Sequence, residues 1–479
     1  MNSFFRRSLT VPAVLLLGVA ACATHPTTPL SSPVASTVPG GASAVWAGEA
    51  GPWPQAAWWS DFADPGLSAL VERVIGANPD LKTAAARARL AAHLAEAAGA
   101  VRRPNVDATG SLARERLTQT GLAPPPYGGM TLTAGDVSLA LGWKLDLWGA
   151  ERARIAARRY EQSAAEVDAL YVRSTVAAAA ARLYFELGAA LSDRELLVAA
   201  ETTGAEGVAI LRHRVAAGLD GVERLHHAEA DQAARVIERA AGDARVAAAR
   251  SAIAALEGLG PDATADYTPT SGASTHWGVP DDLRVGLLAH RADVIAARDR
   301  ALAAAKDAEA AAADRLPNVT ITALAALDSL VPSKLFDAAS RQTSLGAALD
   351  LPLFDGGRRR ATVDARTAAF EVARSDYDRT VLGAVHEVAD AIARLKESDA
   401  ARSASAQALA AEEAADARVA SRARNGLADR LEVLTAADRL RGVERRERML
   451  AARERMLRVD LYEALGGGVI AMGEKTDER

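Results

Sequence analysis

Two hydrophobic periods alternate along this chain. In one, apolar residues recur every three or four positions, as on one face of a helix. Val167, Leu170, Tyr171, Leu183, Tyr184, Leu187 and Leu191 follow it. This spacing predicts helices over about 66–101, 150–200, 204–258, 283–315, 358–398 and 402–464. In the other, apolar and polar residues alternate strictly, as on a strand. The series Val106, Ala108, Gly110, Leu112 and Val137, Leu139, Leu141, Trp143, Leu145 predict two strands. The series Val319, Ile321, Ala323, Ala325 and Leu345, Ala347, Leu349, Leu351 predict two more. Pro104 and Pro317 stop the helices that precede the first strand of each pair.

The pattern occurs twice. Asn78-Pro79-Asp80-Leu81 matches Arg291-Ala292-Asp293-Val294, and Arg103-Pro104-Asn105-Val106 matches Leu316-Pro317-Asn318-Val319. Arg214–Leu219 matches Arg422–Leu427, and Ala255–Gly258 matches Ala464–Gly467. The four matches run in one order at nearly one offset, so the chain holds two copies of one unit. The predicted organisation is a first repeat at 58–260, a Pro-, Gly-, Ser- and Thr-rich connector at 261–280, a second repeat at 281–468 and a tail at 469–479.

Composition sharpens this picture. Apolar residues make up 49% of the 479, yet aromatics only 4%. Alanine fills the gap, in runs such as Ala177–Ala181 and Ala310–Ala313. Alanine favours helix but buries little area, so the expected object is a set of long, closely packed helices. Fifty helical residues span about 75 Å and must pack along their length, as coiled coils do. The net charge of −5 excludes the basic footprint of a nucleic-acid binder.

The N-terminus adds an address. Arg6 and Arg7 precede an apolar stretch from Val11 to Ala21, and Val19-Ala20-Ala21-Cys22 follows the small-residue pattern of a signal-peptidase site. Cys22 is the only cysteine, so no intrachain disulfide or Cys-based zinc site forms. The arrangement resembles a bacterial lipoprotein box. It implies a signal peptide at 1–21 and a Cys22 carrying diacylglycerol and palmitate. A Ser-, Thr- and Pro-rich tether at 22–57 would follow. Ala23 lacks the aspartate of an inner-membrane retention signal, which favours the outer membrane. Arg6-Arg7 without the rest of the motif does not make a twin-arginine signal.

Ten-residue alternating strands are the signature of a membrane β-barrel, and Trp143, Trp148, Phe336 and Phe354 lie where an interfacial girdle would sit. A pair of amphipathic hairpins on a soluble domain has the same pattern. Four strands cannot close a barrel, and open edges are not tolerated in lipid. Membrane strands here therefore require several chains in one barrel.

Three stretches then carry a family resemblance. Trp58-Trp59-Ser60-Asp61-Phe62-Ala63-Asp64-Pro65-Gly66-Leu67, Leu145-Asp146-Leu147-Trp148-Gly149 and Leu351-Pro352-Leu353-Phe354-Asp355-Gly356-Gly357 are similar to the N-terminal signature and the two strand-to-helix junctions of TolC-type outer-membrane efflux proteins. With Cys22, the chain resembles their lipidated, NodT-like branch. The resemblance implies a mainly α fold with a β-barrel portion: a homotrimer with a twelve-stranded barrel over a long coiled-coil helical tunnel. It also implies a periplasmic membrane-fusion adaptor and an inner-membrane RND-type pump as partners, export of drugs or other small toxic compounds, and an outer-membrane location reaching into the periplasm.

The family places adaptor docking at its periplasmic tips, here Ala217, Gly218, Leu219 and Asn425, Gly426, Leu427. Glycine suits a tight turn, with or without a partner. The family's gate positions fall on Glu223, Arg224, Arg422, Leu431 and Glu432, with Ala423 and Thr435 departing from the usual tyrosine and aspartate. Acids repeated around an axis would favour cations; solvated charges paired along a helix are the plainer reading. No catalytic motif or phosphate-binding loop occurs. His226 and His227 are adjacent on a helix, about 100° apart, and chelate poorly, so no metal site or other cofactor is expected. A coiled-coil lipoprotein spacer without transport, and a periplasmic lipoprotein enzyme, are the alternatives.

Overall fold

A computed structural model describes residues 51–120, 126–264, 267–269, 278–280 and 283–468. The signal peptide, Cys22 and most of the tether lie outside the described residues. A 3-10 turn (Trp58–Phe62) leads into α1 (Pro65–Ala77), α2 (Pro79–Ala100), β1 (Asn105–Arg116), β2 (Thr131–Leu145), α3 (Ala150–Ala216) and α4 (Val222–Leu256). The second half repeats the order: α5 (Leu283–His290), α6 (Ala292–Ala313), β3 (Asn318–Ser329), β4 (Arg341–Asp350), α7 (Arg358–Arg424) and α8 (Arg430–Ala464). Four of the six corresponding pairs match in length: α2 and α6 have 22 residues, β1 and β3 have 12, α3 and α7 have 67, α4 and α8 have 35; α1 (13) and β2 (15) are longer than α5 (8) and β4 (10).

Periodicity misplaces the helix boundaries. A break was expected near 200–204 and near 398–402, but α3 and α7 run through both. At the first, Thr202 and Thr203 donate their hydroxyls back to the carbonyls of Val198 and Ala199, which satisfies them inside the helix. Conversely, the expected helix at 66–101 is broken at Asn78. Pro79 disfavours helical backbone at the residue before it, and Asn78 adopts φ −56°, ψ 129°. Its Oδ1 then accepts the N–H groups of Asp80 and Leu81, starting α2. The expected helix at 283–315 is likewise broken, at Arg291.

The chain divides into two compact units that cut across the repeats, and each contains parts of both halves. The first unit holds the four strands, in the order β1-β2-β3-β4, all antiparallel. The β2–β3 pairing joins the two repeats into one sheet. Register places the alternating apolar residues in shared rows: Val106 opposite Leu141, Leu141 opposite Ala323, Ala323 opposite Leu345. Neighbouring rows belong to the other face and are polar or small: Thr109 opposite Ser138, Ser138 opposite Ala326, Ala326 opposite Gln342. The apolar face is uncovered, with Leu345 80% and Leu112 70% exposed. β1 and β4 each have a partner on one side only.

Below the sheet, α6 lies along the start of α3. Arg154 ion-pairs with Asp314, and the Ser163 hydroxyl donates to Asp299 at 2.6 Å. Alanines fill the seam: Ala157, Ala164, Ala301 and Ala310 are buried. The alanine-rich composition thus serves close approach.

The second unit holds the aromatic core. Trp58, Trp59 and Phe62 are buried with Leu67, Leu70, Val71 and Val74 of α1 against Ala177, Ala178, Ala180, Ala181, Tyr184 and Leu187 of α3. Trp58 stacks on Tyr462 of α8 at 5.1 Å, and the Tyr462 hydroxyl donates to Asp61 at 3.0 Å. Buried Asp64 caps α1 through the N–H groups of Gly66 and Leu67 and accepts the Tyr184 hydroxyl at 2.8 Å. The motif Trp58–Leu67 is therefore a packing wedge with its own helix cap.

Among the described residues, no helix is long and apolar enough to cross a membrane.

Candidate functional site: the two helical turns

The candidate tip residues occupy two turns of one design. α3 ends with Leu219 N–H bonded to Arg214 O at 2.8 Å and Gly218 N–H bonded to Val215 O at 3.0 Å. α7 ends with Leu427 N–H bonded to Arg422 O at 2.9 Å and Gly426 N–H bonded to Ala423 O at 3.0 Å. These paired bonds form a Schellman motif, which needs a left-handed residue after the helix. Gly218 at φ +70° and Gly426 at φ +72° supply it. The next residue projects outward in both turns: Leu219 is 69% exposed and Leu427 67%. Ala217 and Asn425 complete the turns, and the Asn425 amide donates to Ser421 O at 2.9 Å.

The returning helices start differently. Gly221 caps α4 without a side-chain bond, whereas Asp429 caps α8 by accepting Glu432 N–H at 2.8 Å. The backbone N–H of Glu432 and then Arg214 hold the Asp429 carboxyl below the ordinary aspartate range. Asp220 is also lowered: desolvation pushes it up, and the guanidinium groups of Arg224 and Arg214 outweigh that.

The candidate gate residues separate into two groups. Arg422 reaches Glu432 at 3.5 Å across the second turn and donates to Leu427 O at 2.9 Å. Arg224 pairs with Asp220 at 3.0 Å, one helical turn away. Glu223 is exposed in the first turn of α4, and half-buried Leu431 accepts the Thr435 hydroxyl through its carbonyl. Ion pairs among the described residues connect the two turns, but not through these residues. Arg214 bridges Asp220 at 2.6 Å and Asp429 at 3.1 Å, and Arg430 clamps Glu206 of α3 at 2.7 Å. The sequence picked out Arg214 as a matched turn position but not its bridging role, and not Asp220, Asp429, Arg430 or Glu206. The matched positions Arg214 and Arg422 were the available signal; both anchor a turn, with different partners. His226 sits 3.5 Å from Glu229, which Arg212 also holds at 2.8 Å. Among the described residues, no group of three or more potential metal ligands forms.

The sequence profile of the outer membrane efflux protein family matches residues 70–259 and 283–467. The chain belongs to that family. It is 30% identical over 424 residues to the multidrug resistance outer membrane protein MdtP of Escherichia coli K12, covering 87% of each chain. Among solved structures it resembles the outer membrane protein VceC of Vibrio cholerae, with 31% identity, a TM-score of 0.78, and coverage of 87% of this chain and 100% of that one. It also resembles the outer-membrane channel OprN, with 25% identity, a TM-score of 0.79, and coverage of 91% and 99%. This efflux protein is thus an outer-membrane channel with an internal two-fold repeat, and a conduit, not an enzyme.

Proposed function

We propose that the chain is the outer-membrane component of a tripartite efflux pump, conducting drugs or other small toxic compounds passively from an adaptor and an inner-membrane RND-type pump to the exterior. The observation that carries this reading is the sheet. It has one apolar and one polar face, and two edges that lack a partner strand. An uncovered apolar face of this size belongs in lipid, and lipid does not tolerate open strand edges. Three chains supply twelve strands and close the barrel, with apolar rows outward and polar rows lining the lumen. The long helices of the three chains form the tunnel on the periplasmic side.

Cys22, acylated after removal of residues 1–21, anchors the mature N-terminus beside the barrel. The turns at Ala217–Leu219 and Asn425–Leu427 dock the membrane-fusion adaptor. Leu219 and Leu427 are the natural anchors, since large leucines held outward by a rigid turn lose little entropy on binding. Glu223, Arg224, Arg422, Leu431 and Glu432 form the periplasmic constriction.

The deciding experiment is a deletion strain challenged with drugs, dyes, solvents and metal salts, together with cross-linked co-purification through this chain. Increased sensitivity and recovery of an adaptor are expected. A strain with unchanged tolerance, and no adaptor recovered, would refute the pump assignment. Removing the anchor separates channel from spacer. With Cys22→Ala the channel stays in the membrane through its strands, whereas a coiled-coil spacer is released without detergent.

A further inference from the structure

We propose that the end of the sheet that joins the helices is a binding belt for the phosphate headgroups of anionic phospholipids, held by Arg103, Arg315 and Arg358. The proposal rests on the reading of the sheet as membrane-spanning. Register brings four connections to this end: β1 and β3 begin where β2 and β4 finish, with Asn105 opposite Gly142, Leu145 opposite Val319, and Asn318 opposite Asp350. α3 and α7 begin here too, so their positive dipole ends lie at the same level.

Most of the acids at this level are already engaged. Asp146 accepts the N–H groups of Glu151 and Arg152 and ion-pairs with Arg152 at 3.3 Å. Asp355 accepts those of Gly357 and Arg359. Glu151 takes Lys144 at 3.0 Å and Arg154 at 2.6 Å, and Asp314 takes Arg154 as well. Arg102 acts electrostatically on Asp146, which leaves Arg103, Arg315 and Arg358, all exposed. None makes a side-chain hydrogen bond or ion pair among the described residues. A guanidinium presents a planar fork that matches phosphate oxygens.

Apolar and aromatic groups flank these cations. Phe354 is 93% exposed and Leu353 87%. Trp143 donates its indole N–H to Arg102 O at 3.0 Å, and Trp148 donates to Pro317 O at 2.7 Å. Each tryptophan thereby pins a connection beside one of the free arginines. Free cations, exposed aromatics and an apolar sheet face in sequence fit a molecule with an anionic head and acyl tails.

The test uses the purified full-length protein in vesicles of phosphatidylcholine alone or of phosphatidylcholine with phosphatidylglycerol. Lipids retained after extraction are counted by native mass spectrometry. Phosphatidylglycerol enrichment is expected, falling about fivefold for each arginine replaced in Arg103→Gln, Arg315→Gln and Arg358→Gln. The matching lysine variants should keep most of it, which separates charge from folding. The triple variant Arg114→Gln, Arg116→Gln, Arg341→Gln, at the hairpin end, should leave it unchanged. Equal retention of both lipids by an inserted protein overturns this proposal alone, as does loss of enrichment on adding inorganic phosphate, which would mean general anion binding. Failure to insert into either vesicle overturns the membrane reading of the sheet, and this proposal with it.

Discussion

Asn78 and Arg291 occupy matching positions in the two repeats, each at the break between two helices. Both hold the end of their own repeat's last helix. The Asn78 amide donates to Leu256 O at 2.9 Å, and Arg291 donates to Ala464 O at 2.9 Å. The chemistry differs. Asn78 is a compact neutral cap that satisfies the start of α2 and the end of α4 at once. Arg291 is a buried cation, 4% exposed, and so needs counter-charges: Asp293 at 2.7 Å and Glu387 of α7 at 2.7 Å. Desolvation lowers its pKa, but the two carboxylates outweigh it, and the guanidinium stays charged at all accessible pH. A concavity of about 280 Å³ opens beside Arg291, lined also by Arg182, Asp460 and Glu463. One geometric task, tying a helix end to a chain break, is thus met here by a small polar group in one repeat and by a charge network in the other. Only the second recruits a third element.

That difference is open to attack. Arg291→Met should have the largest effect, about 2–3 kcal/mol, because it leaves Ala464 O without its donor and removes the partner of Asp293 and of the partly solvated Glu387. Asn78→Ala should cost only about 1 kcal/mol, the value of a lost cap. Thermal unfolding of the purified protein checks both, and equal losses would break the comparison.

The turns give a second contrast, with smaller effects on folding. Leu219→Glu or Leu427→Glu should weaken adaptor binding at least about tenfold, as expected for a truncated interface anchor, while leaving the melting temperature near that of the parent. Binding that is unchanged in both variants would remove the turns as docking points. Glu432→Arg should weaken or reverse cation preference in single-channel recordings. It faces Arg422, so the change also replaces an ion pair with a like-charge contact. Unchanged selectivity would sink the acidic-ring idea.

The smallest effects concern the caps. Asp429→Ala should loosen the start of α8 by about 1 kcal/mol, and Gly221→Asp should firm α4 by a few tenths, both read as local hydrogen exchange. The carboxyl of Asp429 lies below its ordinary value of 3.8 in the folded chain. Its contribution is therefore present in full above that value and is lost as the pH falls through the lowered one. Asp220 is lowered as well, so protonation also removes its ion pairs with Arg214 and Arg224, and both turns should loosen on acidification, with Asp429→Ala abolishing the change at α8 only.

Much of the fold was legible in local spacing. Period-2 alternation located all four strands, because successive side chains of a strand point to opposite faces and one face here is apolar while the other is polar. The repeat was legible because both copies keep the same turn residues, Gly218 and Gly426 above all, where φ must be positive. The continuity of α3 past residue 200 was not, since threonine hydroxyls can satisfy themselves within a helix or outside one. The candidate turns were found from glycine and leucine, but their bracing by Arg214, Asp429, Arg430 and Glu206 was not.

The elements, their duplication and the two-faced character of the strands are thus written in local spacing. Each follows from interactions within a few residues, where periodicity and backbone preference speak directly. Which partners meet across the chain is set by packing: β2 with β3, Trp58 with Tyr462, Arg214 with Asp429, Arg291 with Glu387. A guanidinium or an indole can pair with many equivalent groups. Only the packing of whole helices chooses one, because it sets which charges are buried together and must neutralise each other.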